Sequence, residues 1–106
     1  MKRKMLDPTH PGEVLVEEFL KPLGISQYRL AKELHVPLRR VNEIALRRRG
    51  ISADMALRLG RFFGTTAEFW LNLQSGYEKE VALRDGASKT LQQVVPLKDT
   101  QRIVAA

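Results

Sequence analysis

The chain contains no cysteine, which excludes disulfide frameworks, thiolate metal sites and cysteine nucleophiles together. Its only two histidines, His10 and His35, stand 25 positions apart, too few and too distant for a histidine metal cluster. No apolar run approaches the roughly 20 residues that a bilayer-spanning helix needs, so no membrane partner is expected. A glycine-rich phosphate loop, a nucleophile beside a base and a supported pair of carboxylates are all missing. Glu17-Glu18 and Glu78 with Glu80 read as solvated helix faces. The expectation is a protein that is not an enzyme and takes no cofactor. Met1-Lys2-Arg3-Lys4 begins like a basic leader, but Asp7-Pro8-Thr9-His10-Pro11 follows where an apolar stretch belongs. An intracellular protein is therefore expected.

What is present is a chain of 106 residues, 43% apolar and 28% charged, enough for one compact domain. Its net charge of +6 is concentrated. Residues 1–25 balance to zero, and residues 51–106 carry a single excess positive charge. Residues 26–50 hold Arg29, Lys32, Arg39, Arg40, Arg47, Arg48 and Arg49 against Glu33 and Glu43, a balance of +5. Such a run is either a solvated face or the footprint of a polyanion.

The apolar spacing predicts five short helices around one core, with no internal repeat. Pro11 at the first helical position and Glu13 in the first turn open a helix carrying Leu15, Val16, Phe19, Leu20 and Leu23, which Pro22 and Gly24 stop. His10 reads as its cap, not as a ligand or a base. Ser26 caps a second helix, Gln27 to Leu34, with Leu30, Ala31 and Leu34 inward. After the His35-Val36-Pro37 break, a third helix runs from Leu38 to Leu46, burying Val41 and Ile44 and exposing Arg39, Arg40, Asn42 and Glu43. Arg47 to Ile51 is a basic loop. Ser52 caps a fourth helix that Gly64 ends, and Thr65-Thr66-Ala67-Glu68 has the capping-box pattern of a fifth. Asp85-Gly86 breaks that helix, and Leu91 to Leu97 reads as a short extended segment with the last ten residues disordered.

Helices two and three are joined by three residues, which is helix-turn-helix geometry. Ala31 is small where the two helices cross, and Leu30, Leu34, Val36, Val41 and Ile44 hold the pair against its neighbours. The outer face of helix three stays polar, and a B-DNA major groove about 12 Å wide admits a helix. Arginine suits guanine O6 and N7, and asparagine suits adenine N6 and N7. The N-terminus of helix two, with Gln27, would point its unpaired N–H groups at a phosphate.

Residues 26–63 resemble the Cro/C1-type helix-turn-helix domain of phage-like repressors. More narrowly, His10-Pro11-Gly12-Glu13, Leu30-Ala31-Lys32, Asn42-Glu43-Ile44, Arg49-Gly50-Ile51-Ser52, Ala56-Leu57-Arg58-Leu59, Phe63-Gly64-Thr65 and Phe69-Trp70-Leu71-Asn72-Leu73-Gln74 are similar to the HigA antitoxin family, also called virulence-associated protein I. The match spans about residues 9–83, and the opening HPGE with the late FWLNLQ run is its specific part. The resemblance implies an all-α, five-helix Cro/C1 domain. It also implies a homodimeric, cytoplasmic and nucleoid-associated antitoxin that neutralises an mRNA-cleaving HigB-type toxin and represses its own operon. A dimer expects a near-palindromic operator in double-stranded DNA. The rival expectations are a stand-alone repressor without a toxin, and a toxin-masking module with weak DNA binding. The domain expectation is a basic tail over 1–8, the DNA-binding domain over 9–83 with its helix-turn-helix core at 26–46, and an extension over 84–106.

Carried onto this sequence, the resemblance makes Gln27 a phosphate clamp. It places Leu38, Arg39 and Glu43 nearest base edges, with Arg40 and Asn42 beside them. Ser26, Arg29, Arg47, Arg48 and Arg49 join Gln27 as phosphate candidates. Several positions keep two readings. Arg39 and Glu43 can form an i, i+4 pair on an exposed face, and Glu43 can accept from cytosine N4 or orient an arginine. Leu38 can meet a thymine methyl. Lys2-Arg3-Lys4 is either a groove-seeking arm or a solubilising terminus. Phe69, Trp70, Leu73 and Tyr77 are core residues or a two-fold dimer contact. The family usually has glycine where His35 and Arg47 stand. A left-handed backbone at His35 would cost roughly 1 kcal/mol, and Arg47 leaves open where helix three ends.

Overall fold

The computed structural model describes residues 8–97, whose regular structure is all helical, with no strand among the described residues. Lys2-Arg3-Lys4 and the last nine residues lie outside the described residues. The first helix, α1 (residues 11–23), begins as expected: the His10 Nδ1 accepts the Gly12 N–H at 2.9 Å. Its middle, Leu15–Leu20, is widened, and the Lys21 N–H reaches back five residues to the Val16 carbonyl. Pro22 sits inside the closing turn, Lys21–Leu23, without ending the helix. It has no N–H to place, and it follows a stretch whose bonds already depart from the four-residue pattern that a proline ring would break. Gly24 is the stop, left-handed at φ 65°.

The next two helices are α2, Gln27–Leu34, and α3, Leu38–Ala45. Ser26 caps α2 by accepting the Arg29 N–H at 3.0 Å. Then come α4, Ala53–Phe63, capped by Ser52, and α5, Ala67–Ala82. The cap of α5 is Thr66, which accepts the Phe69 N–H at 3.1 Å. The capping-box pattern had pointed one residue earlier. Thr65 is engaged elsewhere: its hydroxyl accepts the indole N–H of Trp70 at 2.8 Å.

One core serves all five helices, built from Leu15, Leu20, Leu30, Ala31, Leu34, Val41, Ile44, Ile51, Met55, Ala56, Leu59 and Trp70. Trp70 has no exposed surface at all. It lies within 4.9 Å of Phe19 and 5.1 Å of Phe69, ring centre to ring centre, in geometries that aromatic quadrupoles favour. This removes Trp70 from the dimer-contact candidates, because a ring enclosed by its own chain cannot touch a second one. Leu57, although apolar and in the same helix as the buried Ala56 and Leu59, is 64% exposed.

Beyond α5 the backbone breaks at Gly86, with φ 106°, as the Asp85-Gly86 pair suggested. The extended segment expected after it starts as a helix instead: α6, Ser88–Gln92, follows directly. Ser88, Lys89 and Gln92 place no restriction on helical φ and ψ, whereas Pro96, the residue that argued for extension, lies past the helix end.

Candidate nucleic-acid interface

The C-terminal ends of α2 and α3 are closed by the same device. Past α2, the His35 N–H bonds the Lys32 carbonyl at 3.2 Å and the Val36 N–H bonds that of Ala31 at 3.1 Å. Past α3, the Arg47 N–H bonds the Ile44 carbonyl at 3.0 Å and the Arg48 N–H bonds that of Glu43 at 2.8 Å. Both are Schellman closures, which need a left-handed residue directly after the last turn. His35 (φ 58°) and Arg47 (φ 64°) supply it, and they are the only non-glycine residues with positive φ among those described. Each stands where the sequence resemblance led one to expect glycine. The end of α3 is thereby settled: the helix closes at Ala45, and Arg47, Arg48 and Arg49 follow in the loop.

Two further side chains hold this frame, and neither was assigned a role from sequence. Arg58 on α4 donates from Nη1 to the Leu34 carbonyl at 2.7 Å, closing the end of α2. Gln74 on α5 accepts the Ile51 N–H at 2.7 Å through Oε1 and donates to Glu78 at 2.7 Å. It therefore ties the basic loop to α5. The signal available in the sequence was the FWLNLQ run, whose polar last member needs a reason to face inward.

On the outer side of α3, Glu43 organises two arginines. Its Oε2 accepts from Arg39 Nε at 2.9 Å and its Oε1 accepts from Arg49 Nε at 2.8 Å. The hydrogen bond from Arg39, joined by that from Arg49, holds the Glu43 carboxyl below the usual carboxylate range. Both guanidinium groups are held at Nε, and neither makes a hydrogen bond through Nη to a described residue, so the Nη groups of Arg39 remain available for the end-on approach that a guanine needs. Arg39 is 85% exposed along its side chain. Leu38 is exposed and Asn42 half-buried on the same helix.

The remaining candidates divide. Arg40 turns toward α4, its Nη1 lying 3.4 Å from Asp54. Arg47 reaches Glu13 of α1 at 3.3 Å, and Arg29 pairs loosely with Glu33 at 3.8 Å. Arg48 is exposed and makes no ion pair with a described residue. Ser26 is engaged by its own helix, while Gln27 opens α2 half-buried. Phe69, Leu73 and Tyr77 line a groove between α1 and α5. No group of three or more metal-ligating side chains occurs among the described residues. None of the described helices is long and apolar enough to cross a membrane.

Comparisons with known proteins agree with this geometry. A family model described as helix-turn-helix matches residues 16–70. The chain is 50% identical over 95 residues to virulence-associated protein I of Dichelobacter nodosus, covering 90% of this chain and 86% of that one. It is 35% identical to antitoxin HigA-1 of Vibrio cholerae over 74 residues, 70% of each chain. Among solved structures, antitoxin HigA of Pseudomonas aeruginosa with the higBA promoter superposes with a TM-score of 0.81 at 47% identity, covering 86% of this chain and 99% of that one. Families of this type bind DNA and are not enzymes. The chain belongs to the Cro/C1-type helix-turn-helix family, in its HigA antitoxin and virulence-associated protein I branch.

Proposed function

We propose that this protein is a homodimeric antitoxin that represses its own operon and neutralises a HigB-type mRNA-cleaving toxin. The observation that carries the DNA half is α3 itself, whose outer face carries Arg39 and is closed by the loop arginines. In this reading Arg39, with Leu38, Arg40, Asn42 and Glu43 around it, meets base edges in the major groove. Arg40 leaves Asp54 to do so. Ser26, Gln27, Arg29, Arg47, Arg48 and Arg49 meet phosphates, which position the protein without reading sequence. Two copies present two such helices about one DNA turn apart, toward a near-palindromic operator in the nucleoid. The domain over 9–83 carries this work. The promoter present with the Pseudomonas aeruginosa relative supports the DNA half, and the antitoxin names of the relatives support the toxin half.

Each half has its test. For DNA, operator and scrambled duplexes are titrated at two salt concentrations against Arg39→Ala and Arg48→Ala. Arg39→Ala should lose specific affinity, since a bidentate arginine–guanine pair discriminates by about 1–3 kcal/mol. Arg48→Ala should weaken both duplexes alike and flatten the salt slope by about 0.9 per lost phosphate contact. Equal loss of specificity in both variants would remove α3 from the groove. For the toxin, co-expression with the adjacent small reading frame and purification through one partner should yield both chains. Recovery of this protein alone, still bound to operator, would leave a stand-alone repressor.

A further inference from the structure

The chain carries a large amount of apolar surface where its own fold does not use it. Every residue from Ala82 to Leu97 is exposed except the half-buried Ala87. Leu83, Leu91, Val94 and Val95 are among them, at 44%, 57%, 63% and 83% exposure. The shape agrees: the radius of gyration is 17.4 Å and the long axis 55 Å, against the roughly 13 Å radius of a compact chain of about 100 residues. A helix as short as Ser88–Gln92 is not stable alone in water, so this arm needs a surface to lie on.

A surface of matching character exists on the same chain. The groove between α1 and α5 has a volume of about 590 Å³ and an apolar floor formed by Val14, Phe69, Leu73 and Tyr77. Its rim carries Glu18 and Glu80, neither of which forms an ion pair with a described residue. The arm carries Leu83, Leu91, Val94 and Val95 with Lys89 among them, and its Arg84 is paired with its own Asp85 at 3.5 Å, so the floor finds an apolar complement and the rim a cation in Lys89. The arm leaves from the end of α5, the helix that forms one wall of the groove, and runs on past it. A second copy related by a two-fold axis presents its groove to this arm and receives the other arm in return.

We infer that residues 83–97 form an exchange arm that seats in the α1–α5 groove of a second copy of this chain. The inference rests on the homodimer proposed above and names the surface that makes it. Phe69, Leu73 and Tyr77 thereby gain a dimer role through the groove they line.

The absence of native cysteine makes the test clean. Gly76 lines the groove, and a Cβ there meets nothing within 4 Å. A chain with Gly76→Cys is mixed and refolded with chains carrying Leu91→Cys, Val94→Cys or Val95→Cys, then treated with a short bismaleimide. The expected result is a product of two-chain mass from at least one mixed pair and from neither chain alone. A second variant, Gly76→Arg, fills the groove while replacing glycine with a better helix former, so that loss of dimer cannot be loss of fold. Sedimentation should show its dimer dissociation constant raised at least tenfold. A chain carrying both cysteines that links to itself as a monomer would put the arm in its own groove and overturn the inference. A wild-type dimer with no cross-link at any pair, and with Gly76→Arg unaffected, would overturn it while leaving the homodimer intact. A wild type that stays monomeric at all concentrations would overturn both.

Discussion

Gly12 faces the backbone carbonyl of Ile44 with no room between them for a Cβ, so at this point α1 meets α3 main chain to main chain. The glycine of the opening His-Pro-Gly-Glu run is thus required by contact with the helix that carries the interface. Gly12→Ala should push α1 away from α3. Overpacking of this kind costs about 1–3 kcal/mol, to be read as a lower melting temperature. Operator affinity should fall with it, since α3 loses the surface that sets its angle.

His10 makes stability depend on pH. Its imidazole is 5% exposed, and burial, aided by the Arg47 charge, holds its pKa below the ordinary 6.5. Above that value the ring is neutral in both folded and unfolded chains and the cap on Gly12 is intact. As pH falls below it, the unfolded chain takes up a proton that the folded one resists, so stability declines toward the lower folded pKa. Melting curves between pH 7.5 and 5.5 should show the decline. His10→Asn keeps a capping oxygen but does not titrate, and should flatten that part of the curve.

The two left-handed residues beside α3 are strained. An L-residue there costs about 1–2 kcal/mol, less for histidine than for arginine. His35→Gly and Arg47→Gly should each raise stability by about 1 kcal/mol in denaturant titrations. They should part company on DNA. His35→Gly leaves binding unchanged, whereas Arg47→Gly removes a phosphate candidate and weakens it.

Gln74→Ala would leave the Ile51 N–H without its partner, at a cost of about 1–3 kcal/mol. The loop bearing Arg48 and Arg49 would lose its tie to α5. Hydrogen exchange should quicken at Ile51 first, and the salt slope of operator binding should shallow. Gln74→Glu keeps an acceptor for the amide and should restore exchange protection, though it meets Glu78 as a like charge.

Much of this fold is legible in the sequence because its helix ends are written in side chains. Ser26, Ser52 and Gly64 mark their boundaries by chemistry that acts within a turn. His10 likewise does what its position before Pro11 suggested. The interface was legible in part: the Arg39–Glu43 pair follows from their spacing of four. The other half of Glu43's role was not, because Arg49 returns to it only after a left-handed turn at Arg47. Gln74 and Arg58 stayed hidden for the same reason, each meeting its backbone partner more than twenty positions away. Thr65 and Trp70 show the limit of local rules, since a hydroxyl placed to cap a helix was taken by an indole.

The carboxylate of Glu43 bears on how such a protein finds its target. A negative charge set between two arginines reduces their pull on any stretch of phosphate, wherever on the chromosome it lies. It also holds Arg39 in place, so that little rotational freedom would be lost when a matching base comes within its reach. Weak attachment to the wrong sequence and prompt attachment to the right one shorten the time wasted on a genome that offers about 10⁶–10⁹ competing sites. With Arg39 and Arg49 on DNA as proposed, Glu43 would trade dwell time for search speed, and a single-molecule measurement of sliding on random DNA should then see residence lengthen in Glu43→Gln.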